Sequence, residues 1–164
     1  MCTPNLAIDV VIVSGDDPQT VWLVRRRDTN LLAVMGGFVE TGESTEAAAL
    51  RELKEEMGVR TVSRAPVLLG VYSDPQRDNR RHTVSAVYAI YLNPGEKPKA
   101  GDDAKEVFPM NLDDIETHEY FADHQTILLD YRNLLRGKPL GTATIRGFSN
   151  QVGRSSCASI PAVG

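Results

Sequence analysis

Glu52, Glu55 and Glu56 stand at i, i+3 and i+4. In a helix that spacing makes them neighbours on the surface. Three clustered carboxylates repel one another, so the grouping costs helix stability unless cations neutralise it. Hard oxygen donors at this density suit Mg²⁺ or Mn²⁺, which usually keep some of their waters and bridge to substrate phosphates. A Glu-rich helix face alone is ordinarily no more than a solvated face. Here the flanks argue for more. Gly36-Gly37 lies upstream and allows close backbone approach and unusual dihedrals. Glu43 and Arg51 can pair across a loop–helix junction and hold the carboxylates in place. The chemistry implied is a polyanion held through divalent cations.

The elements around these residues follow from pattern. Ser44 is a good N-cap, Glu46 suits the positive end of the helix dipole, and Gly58 supplies a left-handed stop. A helix of about 13 residues over 45–57 is predicted, with Leu50, Leu53 and Met57 on one apolar face. Leu6–Val13 is rich in β-branched residues, a turn follows at 15–18, and Thr20–Val24 alternates, which predicts a hairpin. A short apolar run, Leu31–Val34, leads to the glycine pair. Val67–Tyr72 and Thr83–Leu92 read as strands on either side of a polar loop, SDPQRDNRRH. A short strand is expected near 105–110, one helical turn at 113–116, and a helix over 123–135 that Gly137 ends. This order implies an α/β fold with a mixed sheet covered on both faces. Residues 1–136 are expected to be one domain. Residues 137–164 are rich in Gly, Ser, Thr and Ala and read as a tail or extension.

Composition narrows the function. The chain has 164 residues, 41% hydrophobic and 24% charged, with net charge −4. That is an ordinary globular balance without the basic footprint of long nucleic-acid binding. A small anionic substrate stays open, because metal ions can bring the positive charge. Cys2 and Cys157 form neither a zinc pattern nor a disulfide framework. No signal peptide is evident, since the N-terminus lacks a basic region and Asp9 interrupts its apolar run. No stretch is long and apolar enough to span a membrane. A cytoplasmic location is the expectation; a homodimer is left open.

The run Gly37-x5-Glu43-x7-Arg51-Glu52-Leu53-x-Glu55-Glu56-x-Gly58-Val59 resembles the Nudix box, and every position is met. A chance match at a given start is on the order of 10⁻⁹ from average residue usage. The resemblance implies a Nudix-type α/β/α sandwich and metal-dependent hydrolysis of a nucleoside diphosphate linked to another moiety. It implies Mg²⁺ (or Mn²⁺) on Glu52, Glu55, Glu56 and the Gly36 carbonyl. Arg51 and Glu43 would orient the carboxylates. The base is left open among Glu52, Asp103 and Glu106.

The segment Leu69–Ala86 (LGVYSDPQRDNRRHTVSA) resembles one found in ADP-ribose pyrophosphatases of that family. So do Asp123-His124-x-x-Ile127-Leu128, Asp102-Asp103-Ala104 and the placing of Pro75. ADP-ribose, cleaved to AMP and ribose 5-phosphate, is therefore the expected substrate. Arg26, Arg77, Arg80 and His82 are its expected contacts, although arginines in a polar loop are often only solvated. Asn79 and Met35 depart from the pattern, each standing where proline is usual. Rival readings are a Nudix enzyme for an oxidised nucleoside triphosphate, NADH or a sugar nucleotide, and a non-catalytic ADP-ribose sensor. The intact box and the scarcity of basic residues after Gly137 weigh against the sensor.

Overall fold

The computed structural model describes residues 3–101 and 104–138. Seven strands run in order: β1 (Asn5–Val13), β2 (Thr20–Arg26), β3 (Leu32–Ala33), β4 (Met35–Phe38), β5 (Val67–Tyr72), β6 (Thr83–Tyr91) and β7 (Ala104–Asn111). Helix α1 (Thr45–Met57) lies between β4 and β5. A short 3₁₀ helix (Leu112–Thr117) and helix α2 (His124–Leu135) follow β7.

Strand β1 is the spine. It runs parallel to β6 along its whole length, from Asn5 opposite Thr83 to Val13 opposite Tyr91. Its other edge is shared. Ala7–Val10 pair antiparallel with β4, and Ile12–Val13 pair antiparallel with β2. Strand β2 also pairs antiparallel with β3 and β7, and β5 pairs antiparallel with β6 at the sheet's edge. Both faces of β1 are covered, which is why its sequence is a near-continuous apolar run. One face packs Ile8, Val10 and Ile12 under Ala48, Ala49, Leu53 and Met57 of α1. The other packs Val11 and Val13, together with Leu23 of β2, under Leu112, Ile115, Ile127, Leu128 and Tyr131. The result is the expected α/β/α sandwich. Asp9 is the exception on β1: a carboxylate only 7% exposed in the middle of the apolar run.

Helix α1 forms where its caps direct. The Ser44 side chain accepts from the Ala47 N–H at 3.2 Å. Gly58, at φ 67°, ends the helix with its N–H on the Lys54 carbonyl. Two local expectations are corrected. Gly36 and Gly37 do not take unusual dihedrals, for neither has positive φ; they lie in β4 as extended backbone. Leu50 is not on the buried face but 39% exposed. At about 100° per residue the inward arc runs through Ala48, Ala49, Leu53 and Met57, and Leu50 falls beyond it. Glu52 and Glu56 fall inside that arc, where an all-apolar packing would have no place for them. Residues 139–164, with Cys2, Asp103 and Cys157, lie outside the described residues.

This arc predicts an asymmetric response. Leu53→Ala should cost about 2–5 kcal/mol of unfolding free energy, whereas Leu50→Ala should stay within about 0.5 kcal/mol. Urea denaturation measures both, and equal losses would place the buried face elsewhere.

Candidate active site

Arg51 organises the acidic end of α1. Its guanidinium donates to both oxygens of Glu43, at 2.7 and 3.1 Å. It also donates to Glu52 Oε1 at 2.8 Å and to the Phe38 carbonyl at 3.1 Å. Glu55 lies at 3.5 Å from the same guanidinium and is 61% exposed. These bonds raise the Arg51 pKa, chiefly through Glu43 and then Glu52. They hold the Glu43 carboxyl below the usual carboxylate range. The pairing expected across the loop–helix junction is present, and it reaches one strand further, to β4.

The glycine pair lets α1 come this close. A Cβ on Gly37 would overlap the Glu52 carboxylate, and one on Gly36 would overlap the Asp9 carboxylate. A cavity of about 400 Å³ opens over this stretch. Its walls include Gly36, Gly37, Glu52, Glu56, Arg26 and Arg80. A second cavity, of about 350 Å³, adjoins it and shares Arg26, Val34, Gly36 and Glu56. Glu52 and Glu56 thus face the cleft, while Glu55 lies on the outer side of the helix with Arg51. As the side chains lie, no group of three or more His, Cys, Asp or Glu among the described residues is close enough to hold an ion. Arg51 draws Glu52 and Glu55 towards itself. The donors themselves, carboxylates beside a bare glycine backbone, are the hard oxygens that Mg²⁺ or Mn²⁺ takes.

Behind the cleft lies a buried polar cluster. The Arg77 guanidinium donates to Asp9 at 2.9 Å and to both oxygens of Asp123, at 2.7 and 2.9 Å. Its side chain is 5% exposed. His124 Nδ1 accepts from the Val34 N–H at 3.1 Å, and Nε2 stands 3.6 Å from Asp9 Oδ1. Accepting at Nδ1 requires the neutral ring, and burial lowers the His124 pKa against the opposing pull of Asp9 and Asp123.

Arg26 and Arg80 both reach the ring of Phe121, with Cζ at 4.3 and 4.8 Å from its centroid. Each is paired through two hydrogen bonds, Arg26 with Asp28 and Arg80 with Asp78. These bonds lower both carboxyl pKa values to about 2.

The expected residues therefore divide. Gly36, Glu52, Glu56, Arg26 and Arg80 share the main cavity. Arg77 reaches it only as a buried structural cation. His82 is exposed, 3.4 Å from the Ser73 carbonyl, in a separate surface depression with Arg80. Glu106, expected near the helix as a candidate base, is instead bonded to Arg25 at 2.6 Å. Arg25 and Glu106 are cross-strand partners, and strand alternation sends them to the face opposite Arg26. Sequence reading missed Asp9, Phe121, Asp28 and Asp78 as site residues. Asp9 did carry a signal, since a lone carboxylate inside a buried apolar strand needs a partner.

An acid-lined cleft floored by side-chain-free backbone, on an α/β/α sandwich, suits the class of hydrolases that act on phosphoanhydrides through divalent cations. Within that class the chain belongs to the Nudix family: residues 3–131 match the NUDIX domain model. Nudix hydrolases generally need a divalent metal. The chain is 38% identical over 137 residues to an ADP-ribose pyrophosphatase of Methanocaldococcus jannaschii, covering 82% of this chain and 76% of that one. The fold is also that of the NUDIX domain of Shewanella oneidensis NrtR solved with ADP ribose. There the TM-score is 0.72 at 24% identity, over 82% of this chain and 90% of that one. A third likeness is to a bifunctional NMN adenylyltransferase/ADP ribose pyrophosphatase of Francisella tularensis, solved with AMP and a manganese ion. Its TM-score is 0.64 at 25% identity, over 82% of this chain and 42% of that one. Among the described residues no helix is long and apolar enough to cross a membrane.

Arg51→Ala should lower both the melting temperature and turnover, because it releases Glu43, Glu52 and the Phe38 carbonyl together. Arg51→Lys should recover little of either, since an ammonium cannot replace the planar fork. Thermal melts beside initial rates measure both, and an unchanged melting temperature would remove the clamp.

The second expectation concerns pH. Asp9, Asp123, Arg77 and Arg26 surround His124, and burial keeps its folded pKa below the ordinary histidine value of about 6.5. Protonation below about 6.5 therefore favours the unfolded chain. This contribution is complete above that pH and is lost as pH falls towards the depressed pKa. His124→Asn, whose Oδ1 still accepts from Val34, should flatten the decline in melting temperature between about pH 6.5 and 5. A decline as steep as in the wild type would assign it to other groups.

Proposed function

We propose that this protein is a divalent-metal-dependent ADP-ribose pyrophosphatase that yields AMP and ribose 5-phosphate. One observation carries the reading: Glu52 and Glu56 face a cavity over Gly36–Gly37 that is also walled by Arg26 and Arg80. The relative from Methanocaldococcus jannaschii supports the substrate. So does the Ser73-Asp74-Pro75 segment, together with Asp123-His124. The Francisella protein, solved with AMP and a manganese ion, supports Mg²⁺ or Mn²⁺ as the cation. The reaction is assigned to the cytoplasm and to the domain ending near residue 136.

Glu52, Glu55, Glu56 and the Gly36 carbonyl would hold the metal. When bound, the metal neutralises diphosphate oxygens and makes a water more acidic. The chain's own residues do the rest. For Glu52 and Glu55 to hold the metal, Arg51 would give up its bonds to them in part and keep those to Glu43 and the Phe38 carbonyl, which fix the helix start. Gly37 leaves Glu52 room to swing over the backbone. Glu52, which lines the cleft, is our choice for the residue that takes the proton of the attacking water. Glu106 is given no part in that step, since it is paired with Arg25 on the opposite face of the sheet. The Asp9–Arg77–His124 cluster holds the backbone from Val34 to Gly36 against the reaction centre.

A substrate panel tests the proposal. ADP-ribose should exceed 8-oxo-dGTP, NADH and diadenosine polyphosphates in kcat/KM with Mg²⁺ or Mn²⁺, and EDTA should abolish turnover. Glu56→Gln should lower kcat roughly 10²-fold or more while the protein stays folded. An alternative substrate cleaved at least about tenfold more efficiently would replace ADP-ribose and leave the family standing. Turnover in fully chelated protein would remove the metal chemistry.

A further inference from the structure

Strand β5 ends the sheet order, with β6 on one side of it. Among the described residues its other edge pairs with no strand. Its sequence, VLLGVY, carries no charge and no proline. An exposed edge is normally blunted by such residues, because its unpaired N–H and C=O groups otherwise recruit another strand. The composition here is instead that of an interior strand, apolar on both faces. Leu69 and Tyr72 are buried, whereas Val67, Leu68 and Val71 are 40%, 54% and 45% exposed.

The register gives the direction of the exposed side chains, since directly opposed residues share a face of the sheet. Val67 is opposite Ala89, which belongs to the core under α2. Leu68 and Val71 are opposite Tyr88 and Ala86, which belong to the core under α1. Strict alternation would send residues three apart to opposite faces. The register shift between Leu68 and Gly70 puts Leu68 and Val71 on the same one.

The two ends of the strand carry opposite charges. Arg64, just before β5, is exposed and has its guanidinium over the Tyr91 ring, with Cζ at 3.4 Å from the centroid. Among the described residues no carboxylate pairs with it. Asp74, just after β5, is exposed and accepts from the Gln76 N–H at 2.8 Å. Among the described residues no cation pairs with it.

We propose that the free edge of β5 joins two copies of this chain, β5 against β5, antiparallel across a two-fold axis. Such an axis requires one patch to complement itself, and this edge does. Centred between Leu69 and Gly70, the pairing sets Leu68 opposite the second copy's Val71 on the α1 side. On the α2 side it sets Val67 opposite the second copy's Tyr72. It also brings Arg64 of each copy to the end of the strand where the other copy carries Asp74. Residues 139–164 of the same chain are a poorer occupant, for they contain no Asp or Glu to answer Arg64. No residue of β5 lines either cavity at Gly36 and Glu56, so the joint leaves the cleft open.

Sedimentation equilibrium of the full chain tests it. The wild type should be a dimer at micromolar concentration. Leu68→Lys combined with Val71→Lys should give a monomer with unchanged far-UV circular dichroism and unchanged kcat. Arg64→Asp and Asp74→Arg should each weaken the dimer roughly tenfold or more. The two reversals together should restore it, which a structural loss at either position would not explain. In hydrogen exchange the outward amides of β5 should be protected in the wild type and exposed in the double-lysine variant. The joint is overturned if the wild type is a monomer, if the double-lysine variant remains a dimer, or if the double reversal binds no better than either single one. A monomer whose outward β5 amides are protected overturns it as well and gives the edge to residues 139–164.

Discussion

One buried guanidinium ties the molecule together at its working end. Arg77 joins Asp9 on the central strand to Asp123 at the start of α2, and it comes from the long polar loop between β5 and β6. Burying charge is costly, and such a pair adds little net stability over apolar packing. Removing one partner, however, strands the others and costs about 3–5 kcal/mol. Those three segments are therefore fixed relative to one another. His124 extends the constraint to the β3–β4 junction through the Val34 N–H.

A second constraint acts from the other side. Arg51 ties the loop at Glu43, the strand at Phe38 and the helix at Glu52. Glycines at 36 and 37 then let the carboxylates of α1 and β1 approach the same stretch of backbone from opposite sides. Glu52 and Glu56 lie on the helix arc that faces the sheet, where an ordinary helix would carry apolar side chains. The departure from a packed core and the presence of a cleft are one fact, for charged groups on an inward arc require a solvated cavity.

The arginines show how differently one side-chain type is used. Arg25 and Arg26 are adjacent on β2, yet pleat alternation sends them to opposite faces. Arg25 goes to Glu106 and Arg26 to the cleft. Arg77 is buried as a structural cation. Arg80, three residues on, is half exposed and lies against Phe121. Nothing in the polar string SDPQRDNRRH separates these fates, because each depends on partners far away along the chain.

Local physics made much of the molecule legible in the sequence. The caps at Ser44 and Gly58 bounded α1, β-branched runs marked β1 and β6, and the spacing of Glu43, Arg51, Glu52, Glu55 and Glu56 pointed to hard-cation chemistry. These signals act within a turn of helix or a few residues of strand, so they survive without knowledge of the fold. Tertiary structure alone decided which glutamates face the cleft, that Glu106 turns away from it, and that Arg77 is buried. It also decided that Arg26 and Arg80 both reach the ring of Phe121. Those outcomes depend on strand alternation, on the register of β2 against β7, and on ion pairs that span up to 81 positions of chain. No short-range pattern encodes a partner at that distance.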